Sequence, residues 1–78
     1  MSTRTAETIT ANIALIAHRL SRASSLAREA HQAAHSGEPN LAIGTLLPVT
    51  QDLADADALL KTVLILHRSR PDTNGGVA

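Results

Sequence analysis

The 78-residue chain contains no cysteine and no Phe, Trp or Tyr. Without cysteine, it cannot form a disulfide or a thiolate metal site. Without those rings, it has no aromatic platform for a nucleic-acid base and no aromatic anchor for an interface. A core of this size contributes only about 3–5 kcal/mol. We therefore expect oligomerisation or close helix packing to supply the missing stability.

The chain also lacks net charge and long apolar segments. Seven Lys and Arg balance seven Asp and Glu, so the formal net charge is zero. This balance removes the long-range field that draws proteins to nucleic acids and anionic membranes. No unbroken apolar run approaches the ~20 residues that span a bilayer, and residues 1–8 do not resemble a secretory signal. We expect a cytoplasmic protein with no membrane partner.

What is present favours helices. Fourteen Ala and eleven Leu form a helical composition. The segment 36–39, Ser-Gly-Glu-Pro, combines a glycine that ends a helix with a proline suited to the first turn of the next one. The sequence therefore predicts an all-α antiparallel hairpin, with helices over residues 5–35 and 39–68 and a turn at 36–38. Residues 1–4 are expected to fray and residues 69–78 to be disordered.

Two residues interrupt the predicted second helix. Pro48 cannot donate a hydrogen bond to the carbonyl of Gly44, so we expect a kink on the outer side of the helix. The alternative is a separate helix that begins near Pro48. Residues 63–66 also have strand propensity, but a single strand would have no partner, so we expect them to be helical.

Apolar residues recur at alternating steps of four and three along both helices, which indicates a coiled-coil seam. The larger members of the predicted core are Ile13, Ile16, Leu20, Leu46, Val49, Leu53, Leu60 and Val63. Smaller members are Ala23, Ala27, Ala30, Ala34, Ala42 and Ala56, and the outermost layer is Ile9 with His67.

Further aliphatic residues flank this predicted seam. They are Leu26, Ile43, Leu59, Leu64 and Leu66. Two helices alone would leave most of them in water, whereas a four-helix bundle covers both flanks of each helix. The sequence therefore predicts that two hairpins form a homodimeric four-helix bundle; a monomer with scattered surface leucines is the alternative.

Charged and titratable residues offer few chemical sites. Asp52, Asp55 and Asp57 should lie level with Arg19 and Arg22 when the hairpin closes. His31 and His35, four residues apart, are weak candidates for a divalent metal, with Glu38 as a third ligand, although His near a helix C-terminus is also favoured by the helix dipole. No strained nucleophile turn or closed pocket is expected in a hairpin, so we expect no catalytic residue, no cofactor and no enzyme activity.

The predicted layout resembles that of the small plasmid-encoded RNA-binding hairpin dimers of the Rop type. The resemblance covers both helices and concerns the layout, with no shared sequence motif. It implies an RNA-binding face on one helix, which here would comprise Arg22, Ser25, Arg28 and Gln32, with His18 and His35 nearby. Glu29 interrupts this face.

Two functional hypotheses follow. The first is a non-catalytic helical module that homodimerises and docks on an unidentified protein partner or scaffolds an assembly. Leu15, Leu47 and Ile65 point away from the predicted core and are the expected partner surface. The alternative is a Rop-like regulator of a plasmid or phage that binds RNA or DNA.

Overall fold

The computed structural model describes residues 3–69, which form two α-helices joined by a short turn. Helix α1 spans Thr3–His35 and helix α2 spans Pro39–Ser69. The two helices pack along their length as an antiparallel hairpin, so the predicted all-α hairpin is confirmed. Thr3 and Arg4, predicted to fray, are helical, and so is Ser69. The rest of the predicted disordered tail lies outside the described residues.

The turn is a Schellman motif centred on Gly37. Gly37 has a φ of +82°, in the left-handed region that a residue with a Cβ rarely adopts. Its N–H donates to the carbonyl of Ala34 at 3.1 Å, and the N–H of Glu38 donates to that of Ala33 at 2.9 Å. The carbonyl of Glu38 in turn accepts from the N–H of Ala42, which starts α2. The turn therefore satisfies the end of one helix while it begins the next.

Helix α2 continues through Pro48 without a break. The alternative of a separate helix that begins near Pro48 is therefore wrong. Residues 63–66 are helical, as predicted.

The seam between the helices has two rows of residues on each helix. The first row is as predicted: Ile9, Ile16, Ala23 and Ala30 on α1, with Ala42, Val49, Ala56 and Val63 on α2, are all buried or half-buried. The second row lies one residue earlier than predicted and comprises Asn12, Arg19, Leu26, Ala33, Thr45, Asp52, Leu59 and Leu66.

The predicted second row is a correction to the sequence analysis. Its members Ile13, Leu20, Ala27, Ala34, Leu46, Leu53, Leu60 and His67 are all exposed in the hairpin. Three leucines predicted as flanks, Leu26, Leu59 and Leu66, take part in the seam instead. A shift of one residue keeps the steps of three and four, so the periodicity alone does not distinguish the two rows. Whether the exposed row forms the core of a dimer stays a prediction.

The hairpin has almost no core of its own. Among the described residues, the buried apolar side chains are five alanines: Ala23, Ala30, Ala33, Ala42 and Ala56. Three of them, Ala30, Ala33 and Ala42, cluster beside the turn, where small side chains let the helices approach closely. Alanines have little apolar surface to bury, so this core contributes little to the free energy of unfolding.

The two glycines of the hairpin should respond oppositely to the same substitution. Gly37→Ala should cost about 1–2 kcal/mol because the left-handed conformation becomes strained. Gly44→Ala should stabilise the protein by about 0.5–1 kcal/mol, since Gly44 is inside a helix and an added Cβ meets no atom within 4 Å. Urea unfolding of both variants checks this, and a destabilised Gly44→Ala variant would contradict it.

Candidate interaction surfaces

One side of the hairpin carries a cluster of ion pairs across the seam. Arg22 Nε lies 3.2 Å from Asp52 Oδ2, and Arg19 Nη1 lies 3.8 Å from Asp52 Oδ1. Arg19 Nε also lies 3.8 Å from Asp55 Oδ2. We call these four residues the ionic cluster. The prediction that Asp52 and Asp55 lie level with the two arginines is thus correct, whereas Asp57 pairs with Lys61 on its own helix at 2.8 Å. That hydrogen bond and the charge of Asp57 raise the pKa of Lys61.

Asp52 is the buried member of the ionic cluster. Only 2% of its surface is exposed, and Oδ2 accepts no aligned hydrogen bond from the described residues. Its charge is therefore balanced mainly by the two arginines, whose side chains are 36% and 53% exposed. Because a buried carboxylate without a cation is costly, the arginines hold this carboxylate in the seam.

A groove extends along the same side of the hairpin. Its lining residues are Leu15, Arg19, Asp55, Ala58, Leu59 and Thr62. Asp55 precedes the seam residue Ala56 by one place, and Leu15 precedes the seam residue Ile16 likewise. In a pair of antiparallel helices, the residues that directly precede the first seam row on each helix face each other on one side of the pair. We call this the ionic side.

The opposite side of the hairpin is apolar. On each helix, the residue that directly follows a member of the second seam row points to this side. In an antiparallel pair, these residues of the two helices face each other. The large aliphatic residues among these and their outward neighbours on α2 are Ile13, Leu20, Ile43, Leu46, Leu53, Leu60 and Leu64. We call the surface that they form the apolar face; Thr50 and Asp57 lie among them on α2. All seven side chains are exposed, from 39% at Leu46 to 59% at Ile43. Five of the eight larger predicted core residues and two of the five predicted flank residues therefore meet on this face.

The three residues predicted to contact a protein partner are exposed but do not lie together. Leu15 is on the ionic side, where it lines the groove, whereas Leu47 is 67% exposed on the outer surface of α2. Ile65 is 59% exposed and follows the groove residue Thr62 by three places on α2. They form no single patch in the hairpin, and a role in partner docking stays a prediction for each.

The residues of the alternative nucleic-acid face are exposed on α1, but its two cations have partners. Arg28 donates from Nη1 to Ser24 Oγ at 2.7 Å and from Nη2 to Ser25 Oγ at 3.4 Å. Arg22 belongs to the ionic cluster. A phosphate would have to compete with these contacts, and the zero net charge gives it no long-range attraction.

The imidazole rings of His31 and His35 are neighbours near the end of α1. Their centroids are 6.5 Å apart and their planes are inclined by 30°. Within residues 3–69, no group of three or more His, Cys, Asp or Glu side chains is arranged to hold a metal ion. Two histidines alone are a weak divalent site, so metal binding stays an untested prediction.

Neither described helix is long and apolar enough to cross a membrane. No protein family, no curated protein and no solved structure matches this chain.

The sequence analysis missed the polar members of the seam, Asn12, Arg19, Thr45 and Asp52. The sequence did place Asp52 level with Arg19 and Arg22, but the leucine that follows Asp52 suits the periodicity of a buried row better. The burial of Asp52 depends on the rotation of each helix about its axis, which the periodicity does not specify.

Removal of one arginine tests the ionic cluster. Arg22→Ala should lower the free energy of unfolding by about 1–3 kcal/mol, because buried Asp52 loses its nearest cation while Arg19 remains. The control is Lys61→Ala, which removes an exposed pair on one helix and should leave stability nearly unchanged. Urea unfolding at low salt gives both values, and equal effects would contradict a special role for Asp52.

Proposed function

We propose that the protein is a non-catalytic interaction module that acts through homodimerisation, and that the apolar face is its dimer interface. The observation that carries the proposal is the difference in size between the apolar side chains in the core and those on the surface. Every buried apolar side chain of the described hairpin is an alanine, while eleven larger aliphatic side chains are at least 39% exposed. A hairpin with this distribution gains more from covering its surface than from its own seam.

The rotation of each helix about its own axis supports the packing of a second hairpin on the first. The second seam row contributes three leucines, whereas the row left outside contributes Ile13, Leu20, Leu46, Leu53 and Leu60. Whichever row enters the seam, the other remains exposed in a single hairpin. A second hairpin removes this conflict, because each helix of a four-helix bundle contacts two neighbours.

The side of the hairpin that carries the apolar face is large enough for a stable dimer interface. A helix of 31 residues is about 46 Å long, and two helices side by side are about 20 Å wide. A second hairpin that covered the whole of this side, polar residues included, would bury on the order of 900 Å² per chain. A standard interface buries about 800 Å² per partner.

Within this proposal, the dimer is the unit that docks on a protein partner or scaffolds an assembly. The exposed residues outside the apolar face, Leu15, Leu47 and Ile65, are the remaining large aliphatic candidates for that contact, together with Leu41. The predicted cytoplasmic location stays part of the proposal. The Rop-like alternative has no observation in its favour beyond the layout, since both of its cations are paired within the chain.

The first measurement is mass. Multi-angle light scattering after size exclusion at micromolar concentration should give about twice the chain mass of 8.2 kDa. A folded monomer at all concentrations would refute the proposal. Under the same conditions, titration with structured RNA at low salt should show no binding; salt-sensitive binding would instead support the regulator.

Two matched leucines of α2 test which surface associates. Leu53→Lys places a charge in the apolar face and should weaken dimerisation about 100-fold or more, because each dimer then buries two unpaired ammonium groups. Leu47→Lys makes the same change on the outer surface, at a side chain that is even more exposed, and should leave the dimer mass unchanged. Sedimentation equilibrium compares the two. A larger effect at Leu47 would place the interface elsewhere.

A further inference from the structure

On the apolar face of α2, the order of polar and aliphatic residues is symmetric about a central residue. Along this face, residues 43, 46, 50, 53, 57, 60 and 64 are Ile, Leu, Thr, Leu, Asp, Leu and Leu. Leu53 is at the centre. On either side of it the kinds of residue follow the same order: one polar residue and then two large aliphatic ones.

This symmetry suits a helix that packs against a reversed copy of itself. When the second helix runs in the opposite direction and crosses at Leu53, Leu46 falls on Leu60 of the second copy. Ile43 then falls on Leu64 of the second copy, and Thr50 on Asp57 of the second copy. Apolar side chains meet apolar ones, and the hydroxyl of Thr50 can donate to the carboxylate of Asp57.

The corresponding face of α1 is compatible with the same reversal. Residues 10, 13, 17, 20, 24, 27 and 31 are Thr, Ile, Ala, Leu, Ser, Ala and His, centred on Leu20. Reversal about Leu20 places Ala17 on Ser24 of the second copy. It also places Ile13 on Ala27 of the second copy, a large side chain opposite a small one. Small residues at such a contact let two helices approach closely without voids.

The ion pairs of Asp52 place the two centres close to the same height in the hairpin. Arg19 Nη1 lies 3.8 Å from Asp52 Oδ1 and Arg22 Nε lies 3.2 Å from Asp52 Oδ2, so Asp52 is alongside the helical turn that contains Leu20. Leu20 and Leu53 are therefore within about one helical turn, ~5 Å, of each other along the hairpin. One twofold axis perpendicular to the helices can pass near both centres, as an isologous dimer requires.

We propose that the two copies pack with their turns at opposite ends, α2 against α2 and α1 against α1, about a twofold axis at the height of Leu20 and Leu53. This proposal rests on the homodimer of the proposed function and specifies its arrangement. The other face-to-face twofold arrangement places both turns at the same end and packs α1 against α2. That arrangement keeps Leu53 against Leu20 of the second copy at the centre, but at the two outer ends of the face it sets Ile43 against His31 and Leu64 against Thr10 of the second copy, so apolar residues meet polar ones there.

Disulfide trapping distinguishes the arrangements, because the chain has no cysteine of its own. The variant T50C/D57C should form a covalent dimer on mild oxidation, since each cysteine faces the other position of the second copy. The two cannot join within one chain because they are two helical turns, about 10 Å, apart. The matched variant S24C/T50C should form at least several-fold less covalent dimer.

Non-reducing gels measure the amount of covalent dimer of each variant after the same time of oxidation. Faster trapping of S24C/T50C would place the turns at the same end and overturn the proposal, as would equal trapping of both variants or of neither. As a control, light scattering of the reduced variants should show that each is still dimeric. If T50C/D57C is not dimeric, the variant I43C/L64C tests the same arrangement at the edge of the face. A wild-type chain of monomer mass would instead refute the proposed function itself.

Discussion

The structure is governed by a mismatch between apolar surface and the capacity of one seam. Two packed helices can bury two rows of residues each, and this chain has aliphatic residues in more rows than that. The hairpin seam takes a first row in which four of the eight residues are alanines and a second row that mixes leucines with polar residues. Seven large aliphatic side chains remain on the opposite side. This distribution is the basis for proposing that the hairpin is half of a bundle, because its own buried apolar residues are alanines alone among those the structure describes.

The ionic cluster complements the apolar face by giving the two sides of the hairpin different chemistry. Arg19 and Arg22 cover the carboxylate of Asp52 on one side of the seam, and Asp55 extends the cluster outward. A second hairpin placed on that side would have to desolvate several charges, which is costly. The apolar face presents no such barrier at its centre. In the proposed dimer, this contrast would direct association to one side and favour a closed dimer over an open stack of hairpins.

The sequence predicted those features that depend on local chemistry. Gly37 before Glu38 and Pro39 specified the turn, because only that order provides a left-handed residue followed by a residue suited to the first turn of a helix. The rotation of the helices was not predictable in the same way. Leu53 and Asp52 occupy neighbouring positions, and simple periodicity assigns burial to the leucine. The structure buries Asp52 because Arg19 and Arg22 reach it across the seam, a tertiary contact that no local pattern specifies.

Without aromatic anchors, the specificity of the proposed self-association would have to come from the order of polar and aliphatic residues. Thr50 and Asp57 interrupt the apolar face of α2 symmetrically about Leu53. In the reversed arrangement these two polar residues meet each other. Sliding one helix by a single heptad would instead place Ile43 against Asp57 of the second copy, where the carboxylate would lose water and the Thr50 donor and keep only Lys61 of its own helix. The interruptions lower the total apolar area of the face but penalise shifted registers, as a single polar residue does in a coiled coil.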